Sequence, residues 1–254
     1  MTPGFKDHFS KRAPGYAAFR PRYPAALFDY LAGLAPGREL AWDCGTGNGQ
    51  AATGLAERFE RVVATDPSAE QIAHASPHPK VEYRIARERD SGLAERSVDL
   101  VTAAQALHWF DFEAFFRETR RVLRPGGVLA AWCYVDPRLD DPALDRVLQD
   151  YYAGTVHDYW PPERRFTQDG YRSIAFPFPD LEAPTLWLEM NPNLHEFSGY
   201  LRTWSATQRY VEAHGRDPVD DVEAALIPGW GDPSARRSLR WPLHLRVGRS
   251  PAAE

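Results

Sequence analysis

The chain is poor in the features that mark secreted and membrane proteins. Its 254 residues include only two cysteines, and no apolar run approaches the roughly 20 residues that a bilayer-spanning helix needs. Residues 1–16 lack the apolar core of a signal peptide. These absences predict a cytoplasmic protein with no membrane segment. Because disulfides are rare in that compartment, we expect Cys44 and Cys133 to be buried free thiols.

An excess of basic charge and a clear metal-ligand pattern are also missing. The formal net charge is −5, whereas nucleic-acid-binding proteins usually carry a basic surface. His74 and His78 have the i, i+4 spacing of a helical zinc pair. Pro77 lies between them and Pro79 follows, which disfavours a helix. We therefore expect no nucleic-acid partner and no metal site, and the sequence leaves the oligomeric state open.

Apolar segments of strand length alternate with helical segments along the first half of the chain. This alternation predicts an α/β fold with a doubly wound, mostly parallel sheet, and the length suits one such domain with a modest insertion. Seven strands are predicted, over residues 39–44, 61–66, 81–86, 98–104, 128–133, 185–190 and 238–247.

The predicted organisation has three parts. Residues 1–35 form a polar arm with interleaved aromatic residues and a short helix, and residues 36–134 form the cofactor-binding α/β core. Residues 135–254 complete the core and contain an aromatic-rich helical insertion at about 190–235, of the kind that often makes a lid. Helices are predicted there over residues 194–213 and 218–226.

A glycine-rich turn follows the first predicted strand. Asp43 precedes Gly45, Gly47 and Gly49, and Asp66 ends the second strand. A strand, a glycine turn, a helix and a second strand with an acid at its tip are the layout of a nucleotide-type cofactor site. Glycine allows positive φ and close approach of a ligand to the backbone, and the acid can accept both hydroxyls of a ribose.

The spacing of the glycines separates two classes of cofactor. A dinucleotide fingerprint is G-x-G-x-x-G, with the pyrophosphate on the helix N-terminus, but Gln50 stands where the third glycine would be. The D-x-G-x-G-x-G turn resembles motif I of the class I S-adenosylmethionine-dependent methyltransferases instead.

Three further segments resemble the "type 11" group of that family, which includes trans-aconitate methyltransferases. They are residues 16–24 (YAAFRPRYP), 104–110 (AQALHWF) and 121–127 (RVLRPGG). The resemblance implies a Rossmann-like methyltransferase fold and S-adenosyl-L-methionine as the cofactor. It also implies a small-molecule methyl acceptor, and the trans-aconitate analogy favours a carboxylic acid.

The resemblance also assigns parts of the cofactor to parts of the chain. The glycine turn packs on the methionine portion, and Asp66 holds the ribose. In the family an acid after the third strand meets the adenine amino group. Asp90 fits the place of that acid best, with Glu88 as the competitor.

Charged and aromatic side chains complete the candidate cofactor site. Arg20 can pair with the cofactor's carboxylate, and the faces of Tyr16 and Trp109 can attract the sulfonium cation. The candidate cofactor residues are Tyr16, Arg20, Asp43, Gly45, Thr46, Gly47, Gly49, Asp66, Pro67, Ser68, Asp90, Gln105, Ala106 and Trp109.

A second group of residues is expected to hold the methyl acceptor. His108 follows strand four at the carboxyl edge, where α/β sheets bind ligands, and it is the candidate base if the acceptor must lose a proton. A carboxylate is already ionised at pH 7 and needs no base. The candidate acceptor residues are His108, Tyr134, Trp160, Tyr200 and Trp204, and packing of a lid on the sheet is the alternative explanation for them.

Two other functions stay open on the sequence alone. They are a nicotinamide-dependent oxidoreductase and an S-adenosylmethionine-binding protein without catalysis. Nucleic-acid amino-methylation is disfavoured, because enzymes of that kind typically have an N/D-P-P-Y/F turn where residues 105–108 read QALH.

Overall fold

The computed structural model describes residues 20–252, which fold around one eight-stranded sheet. The strands are β1 (Leu40–Cys44), β2 (Arg61–Asp66), β3 (Val81–Ile85), β4 (Val98–Ala104), β5 (Leu123–Tyr134), β6 (Arg138–Leu139), β7 (Leu186–Met190) and β8 (Leu239–Arg249). The α-helices are α1 (Ala25–Leu34), α2 (Gln50–Ala56), α3 (Ala69–Ala73), α4 (Phe112–Val122), α5 (Pro142–Asp150), α6 (Arg164–Gln168), α7 (Leu194–Arg202), α8 (Ser205–His214) and α9 (Val219–Trp230).

The strand order is β3-β2-β1-β4-β5-β8-β6, with β7 paired to β8. Neighbours from β3 to β5 run parallel, whereas β8 is antiparallel to β5, β6 and β7. The prediction of a doubly wound, mostly parallel α/β sheet is confirmed, and the two-residue strand β6 is added to the seven predicted strands. Strands β2 and β3 lie on one side of β1, and the strands that follow them, β4 and β5, lie on its other side. The strand order therefore reverses between β1 and β4. Ligands bind at such a reversal, outside the carboxyl ends of the strands.

Both faces of the sheet are covered, which explains why its central strands are almost continuously apolar. Along β1, Ala41 packs into the buried cluster on one face and Trp42 into the cluster on the other. Along β4, Leu100 and Val101 divide in the same way. Cys44 and Cys133 are buried free thiols, as predicted.

The segment between β5 and β8 differs most from the prediction. The single helix expected over residues 194–213 is two helices, α7 and α8, because Thr203 and Trp204 leave the helical path and Trp204 turns extended (φ −70°, ψ 137°). Helix α9 passes through Pro228 and ends at Trp230 rather than near residue 226. Trp230 is fully buried and donates its indole N–H to the Ala235 carbonyl (2.9 Å), which favours the longer helix. Helices α5 and α6 were not predicted.

The described residues also bear on membrane and metal association. Between residues 20 and 252 no helix has both the length and the apolar character to cross a bilayer. The same part of the chain has no group of three or more His, Cys, Asp or Glu side chains that could hold a metal ion.

Candidate active site

A cavity of about 640 Å³ lies at the carboxyl ends of β1 and β4, where the strand order reverses. Its volume is in the usual range of ligand pockets, roughly 300–1,000 Å³. Much of its wall comes from the segments that follow β1, β2, β3 and β4: residues 44–48 with 50–51, 66–68, 86–89 and 104–106.

The three glycines of the turn after β1 have positive φ, at 69°, 55° and 84°, but they face different surroundings. A β-carbon on Gly45 would lie 2.7 Å from that of Ala106, and one on Gly49 would collide with the Tyr83 hydroxyl. A β-carbon on Gly47 would have no neighbour closer than 3.8 Å. Gly45 and Gly49 therefore allow the turn to pack, whereas Gly47 presents bare backbone to the cavity. Gly49 is not on the cavity wall.

Asp66 lies on the cavity wall and holds the glycine turn in place. One carboxylate oxygen accepts a hydrogen bond from the Gly47 amide (2.9 Å), and the other accepts one from the Ser68 amide (2.9 Å). A carboxylate has about four acceptor positions, so both oxygens can also accept hydrogen bonds from a ligand such as a ribose.

Asp43, one of the candidate cofactor residues, is not on the wall of the larger cavity. It is fully buried and accepts hydrogen bonds from the hydroxyls of Thr46 (2.6 Å) and Thr102 (2.7 Å). Burial raises its pKa to about 6, while these hydrogen bonds oppose the rise. Asp43 therefore lies behind the glycine turn and links it to β1 and β4.

The turn after β3 places Glu88 rather than Asp90 on the cavity wall. The Asp90 amide donates to the Arg87 carbonyl (3.1 Å), and the Asp90 side chain is exposed. Of these two acids, only Glu88 therefore lies on the wall of the larger cavity.

A second, smaller cavity of about 120 Å³ shares four wall residues with the first. The shared residues are Arg20, Gln105, Trp109 and Tyr134. Arg20 donates to the Tyr134 hydroxyl (3.3 Å) and to the Thr203 carbonyl (3.1 Å). Gln105, at φ 52°, accepts from the Tyr134 amide (2.9 Å) and donates to its carbonyl (3.2 Å), which joins the ends of β4 and β5.

Aromatic rings and charged groups form the rest of the second cavity. All five candidate acceptor residues lie on its wall. The wall also contains residues that the sequence analysis did not single out, namely Asp136, Tyr152, Arg164 and Trp241.

Arg164 is stacked on the aromatic wall of this second cavity. Its guanidinium carbon lies 3.7 Å from the Trp160 ring centroid and 4.8 Å from that of Tyr152. It donates to the Tyr152 hydroxyl, while its buried Nε has no hydrogen-bond partner within residues 20–252. No carboxylate of the described chain forms a salt bridge with it.

His108 lies on the same wall in the 3₁₀ turn Leu107–Trp109 and is only 8% exposed. Its Nδ1 is 2.9 Å from the Tyr171 hydroxyl. Burial, assisted by the positive charge of Arg164, lowers its pKa to about 3. The imidazole is therefore neutral at pH 7.

The structure brings most of the candidate cofactor residues to the larger cavity. Those on its wall are Arg20, Gly45, Thr46, Gly47, Asp66, Pro67, Ser68, Gln105, Ala106 and Trp109. Asp43, Gly49 and Asp90 are not on it, and Tyr16 lies outside the described residues. Sequence reasoning missed Asn48, Gln71, Phe110, Asp111 and Glu163, and it treated Gln50 only as a missing glycine. The Gln50 amide donates to the Pro21 carbonyl (2.9 Å), which ties the segment around Arg20 to α2.

Comparison with known proteins gives the family. The methyltransferase-domain family matches residues 42–131. Over 229 residues the chain is 32% identical to a Dictyostelium discoideum protein that is provisionally named a methyltransferase, covering 89% of this chain and 87% of that protein. The chain belongs to the class I S-adenosylmethionine-dependent methyltransferases.

Other methyltransferases match as well. A solved structure from Anaeromyxobacter dehalogenans, provisionally described as a type II methyltransferase, is 47% identical with a TM-score of 0.87, over 92% of this chain and 99% of that one. A protein of Saccharomyces cerevisiae, named a probable S-adenosylmethionine-dependent methyltransferase, is 30% identical over 63% of this chain and 56% of its own length. These comparisons support neither an oxidoreductase nor a binding protein without catalysis.

The cofactor is S-adenosylmethionine, which when bound supplies an electrophilic methyl group on a sulfonium. The larger cavity fits this group, because Gly47 offers bare backbone and Asp66 offers acceptor oxygens for ribose hydroxyls. Trp109 lies on the walls of both cavities, where an aromatic face can meet a cation.

Proposed function

We propose that this methyltransferase methylates a carboxylate oxygen of a small carboxylic acid, in line with the resemblance to trans-aconitate methyltransferases. The observation that carries the proposal is Arg164, a guanidinium without a carboxylate partner in the described chain, on the wall of a small aromatic cavity beside the cofactor cavity. A guanidinium binds a carboxylate through paired, charge-assisted hydrogen bonds.

The size of the second cavity favours a small acceptor. An apolar cavity of about 150 Å³ binds benzene, and the second cavity measures about 120 Å³. A ring or a short chain of similar size fits there, whereas a macromolecular acceptor would have to enter with one side chain or base at a time.

The charges around this cavity favour an anion over an ammonium group. Arg20 and Arg164 line it, against the single acid Asp136, which already accepts a hydrogen bond from Tyr152. The ring of Trp160 lies under Arg164, so a strong cation–π position is taken by the protein's own cation. An ammonium acceptor would have to approach the guanidinium of Arg164, whereas a carboxylate would be attracted by it.

The transfer itself needs no proton movement when the acceptor is a carboxylate. One ionised oxygen forms a bond to the methyl carbon while the carbon–sulfur bond breaks, so a sulfonium and a carboxylate become a neutral thioether and a neutral ester. The protein's task is to align the acceptor and exclude water. The lowered pKa of His108 agrees with this, because a neutral imidazole with a pKa of about 3 is a weak base toward an alcohol or an ammonium group.

In the larger cavity we propose specific contacts to the cofactor. Asp66 accepts the ribose hydroxyls, and Glu88, in place of Asp90, meets the adenine. Arg20 pairs with the methionine carboxylate, and Trp109 faces the sulfonium. The helices within residues 190–235 would cover the bound ligands, whereas most of the predicted arm, residues 1–19, lies outside the described residues.

The acceptor class can be tested by measuring release of S-adenosylhomocysteine with a panel of small carboxylic acids, from benzoate to trans-aconitate. The matching amides, alcohols and amines serve as comparison acceptors. We expect turnover with acids only. Turnover of amines or alcohols without any acid would contradict the proposed acceptor class.

The role of Arg164 is tested with Arg164→Gln, and Arg165→Gln is the matched control, because Arg165 is exposed and stacks on Phe166 outside the second cavity. Loss of charge-assisted hydrogen bonds of about 1.5–3 kcal/mol should raise KM for the acid roughly 10- to 150-fold. Cofactor affinity should stay the same in both variants. An unchanged KM in Arg164→Gln would remove the observation on which the proposal depends.

A further inference from the structure

We propose that Tyr171 fixes His108 in the tautomer with its proton on Nε2, so that His108 donates a hydrogen bond to the acceptor's carboxylate instead of acting as a base. The tautomer follows from contacts within the chain. The role toward the acceptor rests on the proposed function.

The surroundings of the Tyr171 hydroxyl determine which atom donates in its hydrogen bond with His108. Its oxygen lies 2.9 Å from His108 Nδ1. Tyr171 is fully buried, and within the described chain no acceptor other than Nδ1 lies within hydrogen-bond distance of this hydroxyl. If Nδ1 carried the proton and donated it to the phenol oxygen, the phenol's hydrogen would be buried without an acceptor, which is costly. The phenol's own hydrogen is left for Nδ1, which must therefore accept and carry no proton.

Both partners keep the protonation state that this arrangement needs. Burial raises the pKa of the Tyr171 phenol well above its ordinary value, so the hydroxyl keeps its hydrogen. His108 is neutral for the reason given above, and a neutral imidazole has one N–H. With Nδ1 occupied as an acceptor, that N–H is on Nε2.

The backbone at Tyr171 is held in an uncommon conformation. Its φ is 65°, in the left-handed region that bulky residues rarely adopt. Arg246 of β8 donates to the Tyr171 carbonyl (2.8 Å) and to the Ile174 carbonyl (2.6 Å), and it forms a salt bridge with Asp180 (2.8 Å). Strained backbone of this kind persists when its surroundings impose it, often at functional sites. Here the Arg246 contacts fix the backbone that places the phenol beside the imidazole.

The other side of the imidazole faces the second cavity. His108 lies on its wall with Arg164, and Nε2 has no hydrogen-bond partner in the described part of the chain. Arg164 and His108 thus offer a guanidinium and an imidazole N–H on the same wall, and a carboxylate has two oxygens to receive them. Neither Arg164 nor a His108 protonated on Nε2 can accept a hydrogen bond from an ammonium or amide N–H, so His108 contributes to selection of the acceptor.

The tautomer can be measured without any acceptor. In ¹⁵N NMR of the full chain labelled at histidine and saturated with S-adenosylhomocysteine, the signals lost in His108→Gln identify His108. We expect a protonated Nε2 and an unprotonated Nδ1 throughout pH 5–8 in the wild type. Tyr171→Phe should shift the proton partly to Nδ1, and Tyr30→Phe, which loses a hydroxyl contact to the Glu182 carbonyl far from the cavity, should not. A proton on Nδ1 in the wild type would overturn the assignment, whatever the acceptor proves to be.

The role of the donor is tested with the same acid panel, from benzoate to trans-aconitate. Glutamine can donate but cannot act as a base, so His108→Gln should stay within about ten-fold of wild-type kcat/KM and keep the pH profile. His108→Leu, which has no donor, should lose roughly 10- to 100-fold, mainly through KM. Equal inactivity of the two variants, with thermal melting showing both folded, would mean that His108 is a base and would refute the donor role. Absence of turnover with every acid would instead contradict the proposed function and leave the NMR result standing.

Discussion

Asp43 precedes the glycine turn and Asp66 ends the following strand, and the two acids have different surroundings. Asp66 lies on the wall of the larger cavity, whereas Asp43 is fully buried against two threonine hydroxyls. Glu88 and Asp90, two residues apart, differ in the same way, since only Glu88 is on the wall. For single residues, the position of the carboxylate on or off the cavity wall therefore decides whether an acid can contact the cofactor.

Removal of cavity-facing acids should weaken cofactor binding. Asp66→Ala loses charge-assisted hydrogen bonds to ribose, and we expect calorimetry with S-adenosylhomocysteine to show a loss of about 1.5–3 kcal/mol. Glu88→Ala should weaken binding by a smaller amount, and Asp90→Ala should leave it unchanged. Unchanged affinity in Asp66→Ala, or a loss confined to Asp90→Ala, would show that the contacts are misassigned.

The two glycines that bracket Asn48 should respond differently to alanine. Gly49→Ala forces a methyl group against the Tyr83 hydroxyl and should lower the melting temperature strongly. Gly47→Ala meets no neighbour within the chain closer than 3.8 Å, so its stability cost is mainly the left-handed backbone, about 1–2 kcal/mol. It should nevertheless weaken cofactor binding, because the methyl group enters the cavity. Equal affinity for the cofactor in Gly47→Ala and wild type would mean that the ligand does not approach this backbone.

At the scale of elements, the strands of the sheet could be predicted well from sequence because burial on both faces makes them apolar. The predicted bounds of β2 and β4 agree with the structure to the residue. The break between α7 and α8 could not be predicted, since no glycine or proline marks it. It follows from tertiary packing, because Trp204 leaves the helical path and packs on the rings of Tyr151, Tyr152, Trp160 and Tyr200.

Other misses had a local signal that was not used. Helix α5 begins with Asp141 as its N-cap and Pro142 in its first turn, a common start for a helix. Arg164 stands in a segment rich in aromatic residues, but Glu163 and Arg165 flank it, so the sequence does not distinguish it from its charged neighbours. Which of Glu88 and Asp90 lies on the cavity wall depends on the turn that the Asp90 amide closes with the Arg87 carbonyl. Sequence alone does not fix the geometry of that turn.

The packing of Trp204 gives a prediction for the element that it anchors. Trp204 is 3% exposed within a cluster of aromatic rings, so Trp204→Ala should cost roughly 3–5 kcal/mol in the free energy of unfolding. Trp187→Ala, which removes a tryptophan 46% exposed on β7, is the matched control and should cost far less. Both are measured by denaturant unfolding. If Trp204→Ala kept wild-type stability and changed only the acceptor KM, Trp204 would be a binding residue and not the packing centre of this segment.

For the whole molecule, the burial of His108 couples stability to pH. Because the pKa of this group is lowered from 6.5 to about 3, the unfolded chain takes up the proton first, and stability falls as pH drops below 6.5. Each unit of pKa difference corresponds to about 1.4 kcal/mol, so the loss attributable to His108 at pH 5 is about 2 kcal/mol.

The pH effect is measured as the difference in unfolding free energy between pH 7 and pH 5. His108→Gln should lose less stability over this range than the wild type, whereas His74→Gln, which removes an exposed histidine, should behave like the wild type. A comparison between variants is needed because the pKa of Asp43 is raised to about 6, so the contribution of Asp43 to stability rises as the pH falls. Parallel pH dependence in His108→Gln and wild type would contradict the burial of a neutral imidazole.

The central claim is that a carboxylate held by Arg164 receives the methyl group. The most direct measurement is mass spectrometry of the reaction products after incubation of the enzyme with methyl-deuterated S-adenosylmethionine and the panel of small carboxylic acids. The account predicts a deuterated methyl ester of at least one acid, formed by the wild type and by Arg165→Gln and strongly reduced in Arg164→Gln. Deuterated methyl on nitrogen, sulfur, carbon or a hydroxyl oxygen of the acceptor, or an ester formed equally by Arg164→Gln, would contradict it.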